Sequence, residues 1–273
     1  MDSSAPDVPL WRKLLFRPRE GSIETLPGWV QAINWIAAFG LLALFFTFTF
    51  WRLDVGQWNW NVLWNYRTLF LTGFGVTILI SIASLLASTL IGLVFALAGR
   101  SSFLPLRSIT KIYVEAVRGT PLLSQILIFF YVVAPAMNVE NRYLVGVMTL
   151  SFFSGAYISE IIRSGIEGIA KSQIESARAI GLTTAQTYRF VIFPQAFKQV
   201  LPPLAGQFVS LIKDSSLLSV ISVNEFTKNA QQVNSITYST LECYLFLAVG
   251  YLFLTLPISL LTRWLESRNK FDT

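Results

Sequence analysis

The chain has no histidine, a single cysteine (Cys243) and charged residues at only 13% of its 273 positions. Each scarcity excludes something. Without His, and with one Cys, the usual zinc and haem ligand sets cannot be assembled, which argues against a membrane metalloenzyme. A lone Cys also forms no internal disulfide. No Gly-x-x-x-x-Gly-Lys-Ser/Thr loop occurs, so the phosphate cradle of P-loop nucleotide enzymes is missing from this chain. Low charge together with 53% hydrophobic residues and a mean hydropathy of +0.57 excludes an ordinary soluble domain and places the chain among integral membrane proteins.

What is present in abundance is apolar sequence. A spanning helix needs roughly 20 apolar residues, and six segments qualify: 32–50, 68–98, 112–134, 143–162, 201–223 and 241–262. Of the 21 Lys and Arg, fifteen fall on the side that carries both termini. Four (Arg52, Arg67, Arg142 and Lys228) fall on the other side, and Arg118 and Lys213 lie inside segments. By the positive-inside bias both termini face the cytosol. The net charge of +6 follows from this bias and implies no nucleic-acid partner.

Residues 1–31 read as a poorly ordered cytosolic arm, with Pro6, Pro9, Pro18 and Pro27 among mixed charges. The first apolar segment lacks the small-residue cleavage pattern of a secretory signal and reads as a retained helix, with its outer loop completing residues 32–67. Trp51, Trp58, Trp60, Trp64 and Tyr66 crowd that loop. They fit aromatic anchors at the membrane boundary, the alternative being an aromatic substrate site. Residues 267–273 are a basic cytosolic tail.

The stretch 172–201 is a polar helical excursion between apolar segments. Ser172 and Glu175 fit a capping box that starts a short helix, Gly181 suits its left-handed end, and Thr183 with Gln186 offers a second box. The second helix should be kinked by Pro194. Small residues at Ser176, Ala177 and Ala179 permit close approach to a partner, with Glu175 and Arg178 supplying charge. The alternative is an amphipathic helix resting on the bilayer.

Polar groups interrupt the apolar segments in three places. Glu115 and Arg118 share a helix face, where they can neutralise each other or nearby carbonyls. They precede an expected break in the helix at Gly119-Thr120-Pro121, with Gln125 close behind, and the fourth segment carries Glu160 and Arg163 near its cytosolic end. In the fifth, Gln207, Ser210, Lys213, Asp214, Ser215 and Ser216 lie where a charge facing lipid would cost several kcal/mol, so Lys213 and Asp214 must face protein or water. Residues 224–239 read as an outer polar loop able to touch an extracytoplasmic partner.

Five motifs carry a resemblance. Glu175-Ser176-Ala177 with Gly181 is similar to the EAA loop of ABC importer permeases, with Ser176 in place of the more usual Ala. The string from Glu115 through Arg118-Gly119-Thr120-Pro121 to Gln125, the run Gly155 to Ile166, and Lys213 to Leu217 resemble the polar-amino-acid branch of that family. Gly73-x-x-x-Thr77, opening the second segment, looks like the start of the permease core.

The resemblance implies an all-α integral membrane protein of about six transmembrane helices. A five-helix permease core (68–266, with the coupling loop at 165–200) would follow one extra N-terminal helix. It also implies an ATP-driven importer of polar or other L-amino acids in a prokaryotic plasma membrane, with no covalent chemistry on this chain. Cytosolic ATPases would hold ATP and Mg²⁺ and receive Glu175, Ser176, Ala177, Arg178 and Gly181. A second permease, identical or homologous, would complete the passage, and an extracytoplasmic binding protein would deliver substrate. An amino acid is a zwitterion, so Lys213 and Asp214, with Gln207, Ser210 and Gln125 nearby, could orient it; alternatively they form a structural polar network or subunit contact. Gln207 in place of an acidic residue argues against a dedicated cationic amino-acid site. The rival, an ion-coupled secondary transporter, would call for an inverted repeat, which the sequence does not display.

Overall fold

The computed structural model describes residues 28–52 and 58–268. The expected disorder of residues 1–27 and the last five residues of the tail lie outside that range. Among the described residues all regular structure is helical. Among these residues five helices are long and apolar enough to cross a membrane, with a sixth if a sharply bent pair is one span.

Helix α1 (Gly28–Arg52) begins a few residues earlier than its apolar run and forms a unit of its own with the residues before Asn59. Thr47 and Thr49 return their hydroxyls to the carbonyls of Ala43 and Phe45, both at 2.7 Å, the ordinary way to satisfy a hydroxyl inside an apolar helix.

The second unit opens with a short turn of helix, α2 (Asn61–Asn65), and then α3 (Arg67–Ala98). It continues with α4 (Leu104–Arg118), α5 (Leu122–Ile128), α6 (Arg142–Glu167), α7 (Lys171–Ala179), α8 (Thr184–Thr187), α9 (Phe193–Asp214), α10 (Phe226–Thr237) and α11 (Thr240–Arg268). Its centre is the pairing of α3 with α6. Lipid tails are as apolar as Leu, so helices in a bilayer associate by close packing and hydrogen bonds. The small residues of both helices supply that contact. A Cβ added to Gly92 would lie 2.6 Å from Ile158 Cγ2, and one added to Gly155 would lie 2.6 Å from Ile91 Cγ2. The two glycines and two isoleucines thus interlock reciprocally. Ser81, Ser84 and Ser88 of α3 and Ser151 and Ser154 of α6 are buried in this unit, and Ser151 Oγ donates to Val147 O at 2.6 Å.

The segment expected as an outer polar loop is instead a buried-faced helix. Phe226, Ala230 and Val233 recur at helical spacing on α10 and are at most 2% exposed. The Phe226 ring sits among Phe70, Phe74, Phe246 and Tyr251, with centroids 5.5 to 6.3 Å away. Glu225 starts the helix: its fully buried carboxylate accepts from the backbone N–H of Lys228 (2.7 Å) and Thr227 (2.8 Å) and from the Tyr251 hydroxyl (3.0 Å). The polar residues scattered through this stretch hid the apolar face.

The second helix of the polar excursion does not stop before the fifth segment. One helical run extends from Thr184 to Ile221, through a π-turn at Tyr188–Ile192 and into a 3-10 turn at Ser215–Ile221. Pro194 follows the π-turn directly. There the Phe193 N–H reaches back to Tyr188 O, and this local widening relieves the proline clash.

Candidate translocation and coupling site

The polar hairpin is built by two independent end signals. Gly181 has φ +84°. The Leu182 N–H bonds to Ala177 O (3.1 Å) and the Gly181 N–H to Arg178 O (3.0 Å), which is a Schellman ending of α7. Thr183 then opens α8 with a complete capping box. The Gln186 N–H donates to Thr183 Oγ1 (3.3 Å), and Gln186 Oε1 accepts from the Thr183 N–H (2.9 Å). The box expected at Ser172 is absent. Helix α7 starts at Lys171 with Ala170 before it, so Ser172 is already inside the first turn and cannot cap it.

Of the five residues expected at the coupling surface, Glu175, Ser176, Arg178 and Gly181 are exposed and Ala177 is buried. Ala177 therefore belongs to the hairpin's own packing. Ile180, which helical spacing groups with Gln173, Ser176 and Ala177, is not among the residues expected at the coupling surface, yet it is 78% exposed at the tip; an apolar residue directly before a helix-ending Gly is the signal that could have placed it there.

The break at Gly119-Thr120-Pro121 is real and sharp: α4 and the helix that follows meet at 109°. Gln125 holds it. Its Nε2 donates to Val117 O and to Thr120 Oγ1, each at 2.8 Å, while its buried Oε1 has no partner among the described residues. The expected pairing of Glu115 with Arg118 is not made. Arg118 Nη1 lies 3.8 Å from Glu160 Oε1 on α6, and Glu115 pairs with Lys111 at 3.8 Å. Arg118 ends α4 at the bend, so its side chain can reach the neighbouring helix.

Near the end of α9, the Lys213 side chain is exposed and Asp214 is half-buried; neither makes an ion pair of 4.0 Å or less among the described residues. Ser210 is half-buried, and Gln207 Nε2 donates to Ser154 Oγ of α6 at 3.2 Å. An exposed ammonium in an apolar run requires water or another chain against it.

A tightly packed helical bundle, a broken span, an exposed charge in an apolar run and a capped polar hairpin together define a multi-span membrane protein with a polar element outside its spans. Residues 88–271 match the family described as "Binding-protein-dependent transport system inner membrane component". A probable glutamine ABC transporter permease of Bacillus subtilis is 35% identical over 77% of this chain and 97% of its own length. A glutamine transport system permease of Escherichia coli is 34% identical over 78% and 99%. The crystal structure of an amino acid ABC transporter with histidines superposes with a TM-score of 0.73 at 34% identity, covering 78% of this chain and all of that one. The chain belongs to the binding-protein-dependent transport system inner membrane component family. Helix α1 lies outside the family match.

Proposed function

We propose that the chain is half of the membrane passage of an ATP-driven importer of amino acids, working with cytosolic ATPases that carry ATP and Mg²⁺, a second permease and an extracytoplasmic binding protein. The observation that carries this reading is the hairpin. A Schellman turn and a capping box fix Glu175, Ser176, Arg178 and Ile180 on its exposed side, in a chain whose relatives are permeases named for glutamine and L-cystine transport. With both termini cytosolic, the hairpin faces the ATPases. Closure of the ATPase pair moves the two hairpins, and the passage opens outward to receive substrate from the binding protein. Lys213 and Asp214 line that passage. The ammonium faces the substrate carboxylate and the carboxylate faces its amino group, with Ser210 and Gln207 behind them and Gln125 keeping the bend in shape.

The test is to tag the chain, solubilise the native membrane gently and identify what co-purifies with wild type and with Gly181→Asp. An ATPase that accompanies wild type and is lost or weakened in the variant supports the reading. Recovery of the chain alone in both, under conditions that preserve a known transporter complex, would move the assignment to an ion-coupled transporter.

A further inference from the structure

The hairpin and the bend at Gly119-Thr120-Pro121 are far apart in sequence, yet a line of polar side chains, all charged but the last, Tyr188, joins them. It runs along α6, where Glu160, Arg163 and Glu167 follow one another at three- and four-residue spacing on one face. The stripe is roughly 10 Å long at 1.5 Å per residue. Its middle is tight. Arg163 Nε donates to Glu160 Oε2 at 2.8 Å, and a second guanidinium nitrogen is held by Glu167.

Its two ends are loose. At one end Arg118 Nη1 stands 3.8 Å from Glu160 Oε1, with its guanidinium over the Tyr157 ring at 5.4 Å. At the other end Arg100, just past α3, stands 4.0 Å from Glu167 and donates through Nη2 to the Tyr188 hydroxyl at 3.0 Å. Tyr188 opens the π-turn that follows the hairpin.

The two end residues sit on parts that are stiff in themselves. Arg118 closes α4 at a bend that Gln125 clamps through Val117 and Thr120. Tyr188 shares a small apolar cluster with Ile166, Ile169, Ile174, Ile192 and Ala196 at the base of the hairpin. Since Ile166 belongs to α6, the base of the hairpin is packed on that helix, and a shift of the hairpin relative to α3 falls on the contact between Tyr188 and Arg100. A contact at the limit of ion-pair distance is the place where such a shift makes or breaks an interaction, whereas the Arg163 clamp carries it along α6 unchanged.

Resting on the importer reading, we propose that Arg118, Glu160, Arg163, Glu167, Arg100 and Tyr188 act as one ion ladder. Its residues are positioning residues that couple movement of the hairpin to the bend in the passage, and its two long contacts are the ones remade during the transport cycle.

The test uses the complete complex, with its ATPases and binding protein, in proteoliposomes, and reads amino acid transported per ATP hydrolysed. Arg118→Gln and Arg100→Gln cut the ladder at opposite ends. Each should lower the ratio about 3- to 10-fold, within the range by which residues remote from both sites alter coupling. The double variant should be no worse than the poorer single, because a ladder cut once is already interrupted. Arg118→Lys should stay near wild type, since a 3.8 Å contact needs the charge and not the guanidinium fork. Tyr188→Phe removes one hydroxyl from the hairpin end and should lower the ratio in a complex of unchanged assembly. Singles that leave the ratio unchanged, or a double whose loss is the product of the two, overturn the ladder. If the arginine variants do not assemble, an unchanged ratio in Tyr188→Phe overturns it alone. A wild-type complex that hydrolyses no ATP during uptake fails the importer reading instead, and that result is visible before any variant is compared.

Discussion

Replacing Gly181 separates conformational from steric causes at the hairpin. A Cβ built there meets no heavy atom within 4 Å, while the backbone stands at φ +84°. The cost of Gly181→Ala is therefore torsional: about 1–2 kcal/mol for an L-residue in the left-handed region. That corresponds to a factor of about 5–30 in the population of the ordered turn. Asn visits this region with less penalty because its short side chain bonds locally, so Gly181→Asn should fall between Gly and Ala. Hydrogen exchange at the Leu182 amide, which closes the Schellman turn onto Ala177, reads the opening directly. Exchange should accelerate about 5- to 30-fold in Ala and less in Asn, with amides of the α3–α6 centre unaffected. An unchanged rate in Ala, or a larger effect in Asn than in Ala, would refute the reasoning.

Gly92→Leu drives atoms into Ile158 and towards the backbone N of Ser159, which an added Cβ would already meet at 3.0 Å; about 1–3 kcal/mol of overpacking should appear as a lower thermal midpoint in detergent, and an unshifted midpoint contradicts the α3–α6 interlock. Burial pushes the Glu225 carboxyl above the usual carboxylate range, partly offset by hydrogen bonds from the backbone N–H of Thr227 and Lys228 and from Tyr251. The unfolded chain then loses this proton at lower pH than the folded one. Stability should fall as pH rises from the ordinary carboxylate value through the raised one, and Glu225→Gln should flatten that slope in thermal melts. Lys213→Met and Asp214→Asn should abolish or strongly reduce uptake while leaving the thermal midpoint near wild type; unchanged transport kinetics in well-folded protein would remove both from the passage.

Much of the fold is legible from hydrophobic runs and punctuation. The run 68–98 differs from α3 by one residue at its start, and Gly181, Thr183 with Gln186, and the break before Pro121 appear where local rules put them. These features depend on neighbours in sequence. What escaped depends on neighbours in space. The partner of Arg118 is Glu160, on another helix, and spacing rules within one helix point to Glu115 instead. Helix α10 looked like a loop because Lys228, Asn229, Gln231 and Gln232 outnumber its apolar contacts; only the packing of Phe226 under α3 and α11 makes its face visible. The Ser172 cap failed by two residues of register, since Ala170 stands at the cap position and Lys171 already begins the helix. Among the candidate site residues, the polar interruption at Lys213 and Asp214 is visible in the sequence, and the structure leaves Lys213 exposed and Asp214 half-buried, whereas the latch made by Gln125 could be seen only once the bend was in place.

The most direct test of the central claim is uptake of labelled amino acids into proteoliposomes holding the purified complex. The account predicts accumulation that requires ATP on the hairpin side and a loaded binding protein on the opposite side, and that ion gradients do not replace. Accumulation driven by an ion gradient without ATP would contradict it.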